Sequence, residues 1–247
     1  MDYLNIILVS LFLPLFPATI IFNSIFMRIK NPILRSGLLI FWPLFGIYLF
    51  QKFNLKQDDW IYILIFFTAM FYGFRMLSMR ELGIWTGYMS TSLWALLWIP
   101  LLENSNYIFF YSLWFSLPLV IMVFVVHHLE KSFGAAFTEI NGGLAQTMPR
   151  LSGVFVVVVL ALIATPIFPN FFIVLDFILK STALGAFTIC IVWAIWGWAG
   201  MRLIQGIIVG KSKLNEVQDI SRWLAWLFSL IMISAIVFSV IFIGKNL

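Results

Sequence analysis

The feature that most constrains this chain is a series of continuous apolar runs, each about 20 residues long. A backbone crossing a bilayer finds no water to bond to, so it must satisfy its own hydrogen bonds as a helix or a closed barrel. Barrel strands alternate apolar and polar residues in runs of about ten. Uninterrupted runs of roughly twice that length point to helices crossing about 30 Å of hydrocarbon. Composition agrees: 63% of residues are hydrophobic, 10% are charged, and mean hydropathy is +1.05. Soluble domains are about half apolar and about a quarter charged.

The net charge of +5 sits mostly in short turns, where Lys and Arg orient membrane helices. It is not a nucleic-acid signal. Cys190 is the single cysteine, so an intrachain disulfide is impossible and the redox compartment is unmarked. The first run contains Pro14 and Pro17 but no basic leader or clear cleavage site. It reads as a retained span rather than a cleaved signal peptide.

The expected fold is all-α, a polytopic transmembrane bundle of about eight spans. They fall near residues 3–27, 36–51, 60–77, 82–101, 107–126, 151–165, 170–209 and 223–243, with a kink at Pro43. The longest polar segment runs from His127 to Arg150. Residues 1–57 form an expected two-span anchor, and 58–247 the main body.

The stretch from Asn170 to Val209 is too long for one straight crossing. As helix it would reach about 60 Å, roughly twice the hydrocarbon thickness. Charge suggests the solution. The basic turns are Arg28–Arg35, Arg75–Arg80 and Arg202–Arg222. All three share one side only if 170–209 crosses once, which predicts one interrupted helix with its break near Lys180–Gly185. Interrupted helices at membrane depth usually line ion or substrate paths.

Three stretches carry a family resemblance. Gly142-Gly143-Leu144-Ala145-Gln146-Thr147-Met148-Pro149-Arg150-Leu151 resembles the GGLAxxMPRL segment of the proton-conducting antiporter-like membrane subunits. These occur in complex I, multisubunit sodium/proton (Mrp) antiporters, membrane-bound hydrogenases and inorganic-carbon-accumulating complexes. In that family the following helix ends in a glycine–proline turn; Ala164-Thr165-Pro166 takes its place here. Arg80-Glu81-Leu82-Gly83-Ile84-Trp85-Thr86-Gly87-Tyr88-Met89-Ser90 is similar to the family's RDLKRLLAYSS. Met201 to Gly210 looks like the family's tail after its broken helix. The resemblance spans about residues 60–245. It implies two inverted five-helix repeats, each with a broken fourth helix, of which this chain would keep the second.

The departures matter as much. The family's HAxxK helix corresponds to Tyr111-Ser112-Leu113-Trp114-Phe115, without either titratable group. The family's Lys is absent at Gly83. Val174 stands where one branch has a Glu, with Asp176 and Lys180 close behind. Neutral replacements interrupt a proton relay.

Individual residues allow more than one reading. Asp176 and Lys180 lie at i and i+4 on one helix face. They are either a surviving relay pair, or a local ion pair with Lys180 reaching to the interface. His127, His128 and Glu81 are further relay or coupling candidates. Adjacent His residues on a helix cannot both face one metal, so no metal site is expected. Arg75 and Arg202 are candidates for partner or lipid contact, or simple positive anchors. Trp193, Trp196 and Trp198 fit helical spacing and interfacial belts rather than a cofactor box, and no cofactor motif is present.

The resemblance implies a membrane subunit of a proton-coupled complex, structural rather than catalytic, set in a bacterial inner membrane. Its partners would be other membrane subunits, including a full-length antiporter-like subunit, a peripheral catalytic subunit, and lipids. The complex would be complex I-like, hydrogenase-like or an inorganic-carbon (bicarbonate or carbon dioxide) uptake system. Alternatives are an active half-channel using Asp176 and Lys180, or a standalone small-molecule transporter. Gly197, Ala199 and Gly200 offer a small-residue face for helix contact.

Overall fold

The computed structural model describes residues 2–53, 55, 59–103, 105–138, 142–209 and 218–246, without the side chains of 2, 3, 59 and 241–246. The expected boundary at 57/58 and most of the basic segment after Val209 lie outside these residues. The described helices are α1 (Asp2–Phe12), α2 (Thr19–Arg28), α3 (Pro32–Phe53), α4 (Asp59–Ser78), α5 (Leu82–Leu96), α6 (Trp98–Leu102), α7 (Ile108–Phe133), α8 (Leu144–Thr147), α9 (Pro149–Leu162), α10 (Pro169–Lys180), α11 (Ala183–Ile208) and α12 (Arg222–Asn246). Among the described residues the only β-type pairing is an isolated bridge between Glu81 and Phe137.

Five helices are long and apolar enough to cross a membrane: Pro32–Phe53, Trp60–Ser78, Ile108–Phe133, Ala183–Ile208 and Arg222–Val240. The chain is an integral, multi-pass membrane protein. The remaining expected spans are interrupted or shorter. The pass at 82–101 breaks at Leu97 into α5 and α6, and α9 has 14 residues.

The first apolar run is two helices, not one. Pro14 and Pro17 remove backbone donors at the break, where the Phe16–Pro17 bond is cis. The freed backbone groups find partners elsewhere, as burial demands. Trp42 Nε1 donates to the Leu11 carbonyl, and Trp98 Nε1 to that of Leu13, both at 3.0 Å. The Phe16 amide donates to Thr68 Oγ1 at 3.0 Å. The broken segment lies so close to α3 that a Cβ on Gly46 would come within 2.9 Å of the Leu13 nitrogen.

The 170–209 stretch is interrupted at Ser181–Thr182, inside the expected interval. Thr182 caps α11 by accepting from the Gly185 amide. The two pieces are unequal: α11 is about 39 Å long, enough for a membrane crossing by itself, whereas α10 is about 18 Å.

The polar segment expected from His127 begins later. The helix α7 continues to Phe133, because Leu129 keeps burying its apolar face, and ends at Gly134 with φ 79°. His127, His128, Glu130 and Lys131 are therefore helical.

Three basic turns meet at one end of the bundle. Arg35 at the start of α3 contacts Glu130 at the end of α7. The Leu82 amide donates to Ala136 O, and the Thr138 amide to Arg80 O, each at 3.0 Å. Gly206 near the end of α11 packs on Thr138, and the Arg150 amide donates to Asp219 Oδ2 at 2.9 Å.

The helix α5 runs through the core, with Trp85, Met89, Leu93 and Trp94 buried. Its hydroxyls turn back to helical carbonyls: Thr86 donates to Leu82 O and Ser90 to Gly87 O. Ser92 donates to Ala69 O and accepts from Trp196 Nε1, both at 2.8 Å, tying α4, α5 and α11 together. Gly200 is used inside the bundle, against Ile163 of the α9–α10 loop, while nothing lies near a Cβ on Gly197. Trp223, Trp226 and Leu230 face outward, as lipid contact allows.

Candidate functional site

Charged side chains gather at two ends of the bundle. At one end, Asp176 and Lys180 lie one turn apart on α10, and Lys180 Nζ donates to Asp176 Oδ2 at 2.8 Å. The same oxygen accepts from the Tyr111 hydroxyl of α7 at 2.9 Å. An aromatic wall surrounds them: Tyr107 just before α7, Phe110 and Trp114 of α7, Phe172 of α10 and Phe238 of α12 border a cavity of about 280 Å³. Glu103, just past α6, completes the cluster. Burial pushes its carboxyl above the ordinary range; Lys180 opposes this and Asp176 adds to it.

The second cluster lies at the basic end, about 28 Å away along α7 as counted from Tyr111 to Glu130. There Glu81 enters α5 beside Arg35 and Glu130. Burial raises the Glu81 carboxyl, Glu130 raises it further and Arg35 lowers it. His127 is half-buried on α7. His128 lies near Asp219, with a buried Nε2 that lacks a partner. Arg75 is exposed at the end of α4, stacked over Tyr88 at 5.1 Å and Phe71 at 5.7 Å. Arg202 is exposed on α11 at the rim of a cavity shared with Trp85 and Gln205.

The expected relay candidates thus divide: Asp176 and Lys180 at one end, Glu81, His127 and His128 at the other. Among the described residues the buried polar groups are those of Ser, Thr and Asn, the hydroxyls of Tyr72 and Tyr111 and the indoles; Arg35, at the basic end, is the one buried charged residue. Among the described residues no group of three His, Cys, Asp or Glu could hold a metal ion. The three tryptophans do separate jobs: Trp193 Nε1 donates to the carbonyls of Ile163 and Ala164, Trp196 is buried on Ser92, and Trp198 is 66% exposed.

Comparison with solved structures gives the architecture a name. A chain of the membrane-bound sulfane sulfur reductase, an archaeal respiratory membrane complex, superposes with TM-score 0.83 at 17% identity, over 95% of this chain and 52% of that one. A chain of the Mrp complex from Dietzia sp. DQ12-45-1b gives 0.74 at 14% identity, over 85% and 42%. The fold is that of the antiporter-like membrane subunits. Respiratory complex I from Thermus thermophilus supplies another antiporter-like chain, at TM-score 0.71 and 15% identity, over 90% and 51%. This chain spans about half the length of each. An uncharacterized protein of Aquifex aeolicus (strain VF5) is 22% identical over 213 residues, covering 85% of this chain and 88% of its own length. No family model matches.

Two residues central to this antiporter-like fold escaped the sequence reading. The sequence marks Tyr111 only by what it replaces, yet its hydroxyl donates to the one carboxylate on α10. Arg35 reads as a turn residue, although Pro32 at the helix start signals that Arg35 lies within α3. Gly83, where the resemblance lacks its Lys, borders the Arg35 guanidinium, and Val174 is fully buried.

Proposed function

We propose that this chain is a membrane subunit of a multisubunit ion-coupled complex. It packs beside a full-length antiporter-like subunit and does not conduct protons itself. The observation that carries this reading is the neutral middle of the bundle. Proton relays need titratable groups linked by water, and the described interior between the two charged clusters offers hydroxyls, amides and indoles. The match to chains of multisubunit membrane complexes supports the same reading. The setting is a bacterial inner membrane, with the basic end facing the cytoplasm. The complex is of the complex I-like, hydrogenase or inorganic-carbon uptake kind.

Purification from native membranes in mild detergent tests this. A full-length antiporter-like subunit should co-purify. Recovery as a lone monomer that transports solute in liposomes would defeat the reading.

A second reading is favoured by one contact. The Tyr111–Asp176–Lys180 network is bonded as a proton-exchanging group would be, so the chain could form half of a channel completed by a partner. Asp176→Asn in the assembled complex separates the two. Unchanged ion-coupled activity supports the accessory role, and a loss of roughly tenfold or more supports the half-channel.

A further inference from the structure

Arg35 is 7% exposed, although it sits in the first turns of α3 near the end of the bundle. Its guanidinium lies over the Phe26 ring at 5.3 Å, and Nη1 is 3.8 Å from Glu130 Oε1. Its Nε has no hydrogen-bond partner. A second carboxylate stands beside it. A Cβ on Gly83 would lie 3.6 Å from Glu81 Oε1 and 3.8 Å from Arg35 Nη1, so both head groups border one glycine. Backbone bonds from Leu82 to Ala136 and from Thr138 to Arg80 hold the Glu81 turn in place. Two half-buried carboxylates thus face one buried guanidinium. Fully ionised, they leave one negative charge uncompensated, and a single proton removes it.

We propose that Glu81, Arg35 and Glu130 form a single-proton binding site at the basic end of the bundle. A proton from the adjacent aqueous phase adds to the Glu81 carboxylate, giving the neutral acid, while Glu130 keeps its contact with Arg35. Glu81 is the member that takes the proton because Glu130 holds the direct contact with the guanidinium. The direction of the Glu81 shift, set first by burial and then by Glu130, agrees. Other charged or titratable groups on the surrounding elements include Arg28 of α2, Lys30 before α3, Arg75 of α4, Arg80 in the same turn, Tyr88 of α5, and His127, His128 and Lys131 of α7. The site joins α3, the α4–α5 turn and the end of α7, and it stands whether or not the chain conducts ions.

Infrared difference spectroscopy on the purified full chain, between acidic and neutral buffer, reads the carbonyl band of protonated carboxyls directly. In the wild type, ¹³C-labelled glutamate should shift a band that titrates above the ordinary carboxylate range. Glu81→Gln should remove one carboxyl's worth of that band. Glu130→Gln should leave the Glu81 band but lower its midpoint by about one pH unit. Glu81→Asp should restore a titrating band without the glutamate label shift, which covers the case in which the Gln variant fails to fold. An unchanged band in Glu81→Gln, an unmoved midpoint in Glu130→Gln, or a wild-type band insensitive to glutamate labelling would each overturn the proposal.

Discussion

The Tyr111 hydroxyl and the Asp176 carboxylate meet at 2.9 Å across the α7–α10 interface. Asp176 Oδ2 also accepts from Lys180, so one oxygen takes two donors, one of them charged. The bond from Tyr111 is the cross-helix half of this network, and it fixes where α10 sits on α7. The two rings also help: Tyr111 packs edge-on against Phe177 at 5.6 Å.

Tyr111→Phe keeps the ring and removes the hydroxyl. A hydrogen bond to a charged group contributes about 1.5–3 kcal/mol. The Asp176 side chain is 28% exposed, so solvent screening brings the expected loss below that range, to about 1 kcal/mol. Thermal unfolding in detergent, wild type against variant, measures it.

Gly46→Ala should destabilise by about 1–3 kcal/mol, because the new methyl would meet the backbone of Phe12 and Leu13 at the α1–α2 break as well as the Leu13 side chain, and the backbone cannot turn aside. Gly37→Ala is the control. Nothing lies near a Cβ there, so its thermal midpoint should be unchanged or slightly higher. Equal losses in both variants would show that the close approach of Leu13 to α3 is not what Gly46 serves.

Asp219 caps a helix to which it does not belong. Its carboxylate accepts from the Arg150 amide at 2.9 Å and the Leu151 amide at 3.2 Å, at the start of α9, whose own N-cap Met148 makes no side-chain bond. Asp219→Ala should cost about 1 kcal/mol. Asp219→Asn should cost less, since an amide oxygen can still accept. Hydrogen exchange at Arg150 and Leu151 reports the loss locally, and unchanged protection there would refute the capping role.

Stability should depend on pH through Glu103. Its carboxyl is raised in the folded chain, so the folded state holds the proton more tightly than the unfolded state. That stabilising contribution is complete below the ordinary carboxylate pKa and disappears as pH rises through the folded value. Glu103→Gln should therefore flatten the fall in thermal midpoint between acid and neutral pH. A parallel curve would show that another carboxyl is responsible.

Much of the bundle was legible in the chain itself. Long apolar runs require helices in lipid, and Asp176 and Lys180 at i and i+4 had to share a face of α10. Helix length and basic turns together placed a break near Lys180–Gly185, and the structure shows it at Ser181–Thr182, within that interval. Each of these follows from local periodicity or from a length compared with a bilayer, and needs no knowledge of neighbours.

Other features depend on what lies across the interface, and that no periodicity encodes. The first run looked like one span, since prolines within an apolar stretch permit a kink or a break equally well. The break is tolerated because Trp42, Trp98 and Thr68, distant in sequence, supply the missing hydrogen-bond partners. Arg35 resembled an ordinary basic turn residue until α7 and the α4–α5 turn brought two carboxylates to it. Sequence determined that the chain is a bundle of apolar helices and roughly where its longest apolar stretch breaks. Tertiary packing alone decided which polar groups pair, because hydrogen bonds and charges act over a few ångströms between residues that the chain order keeps far apart.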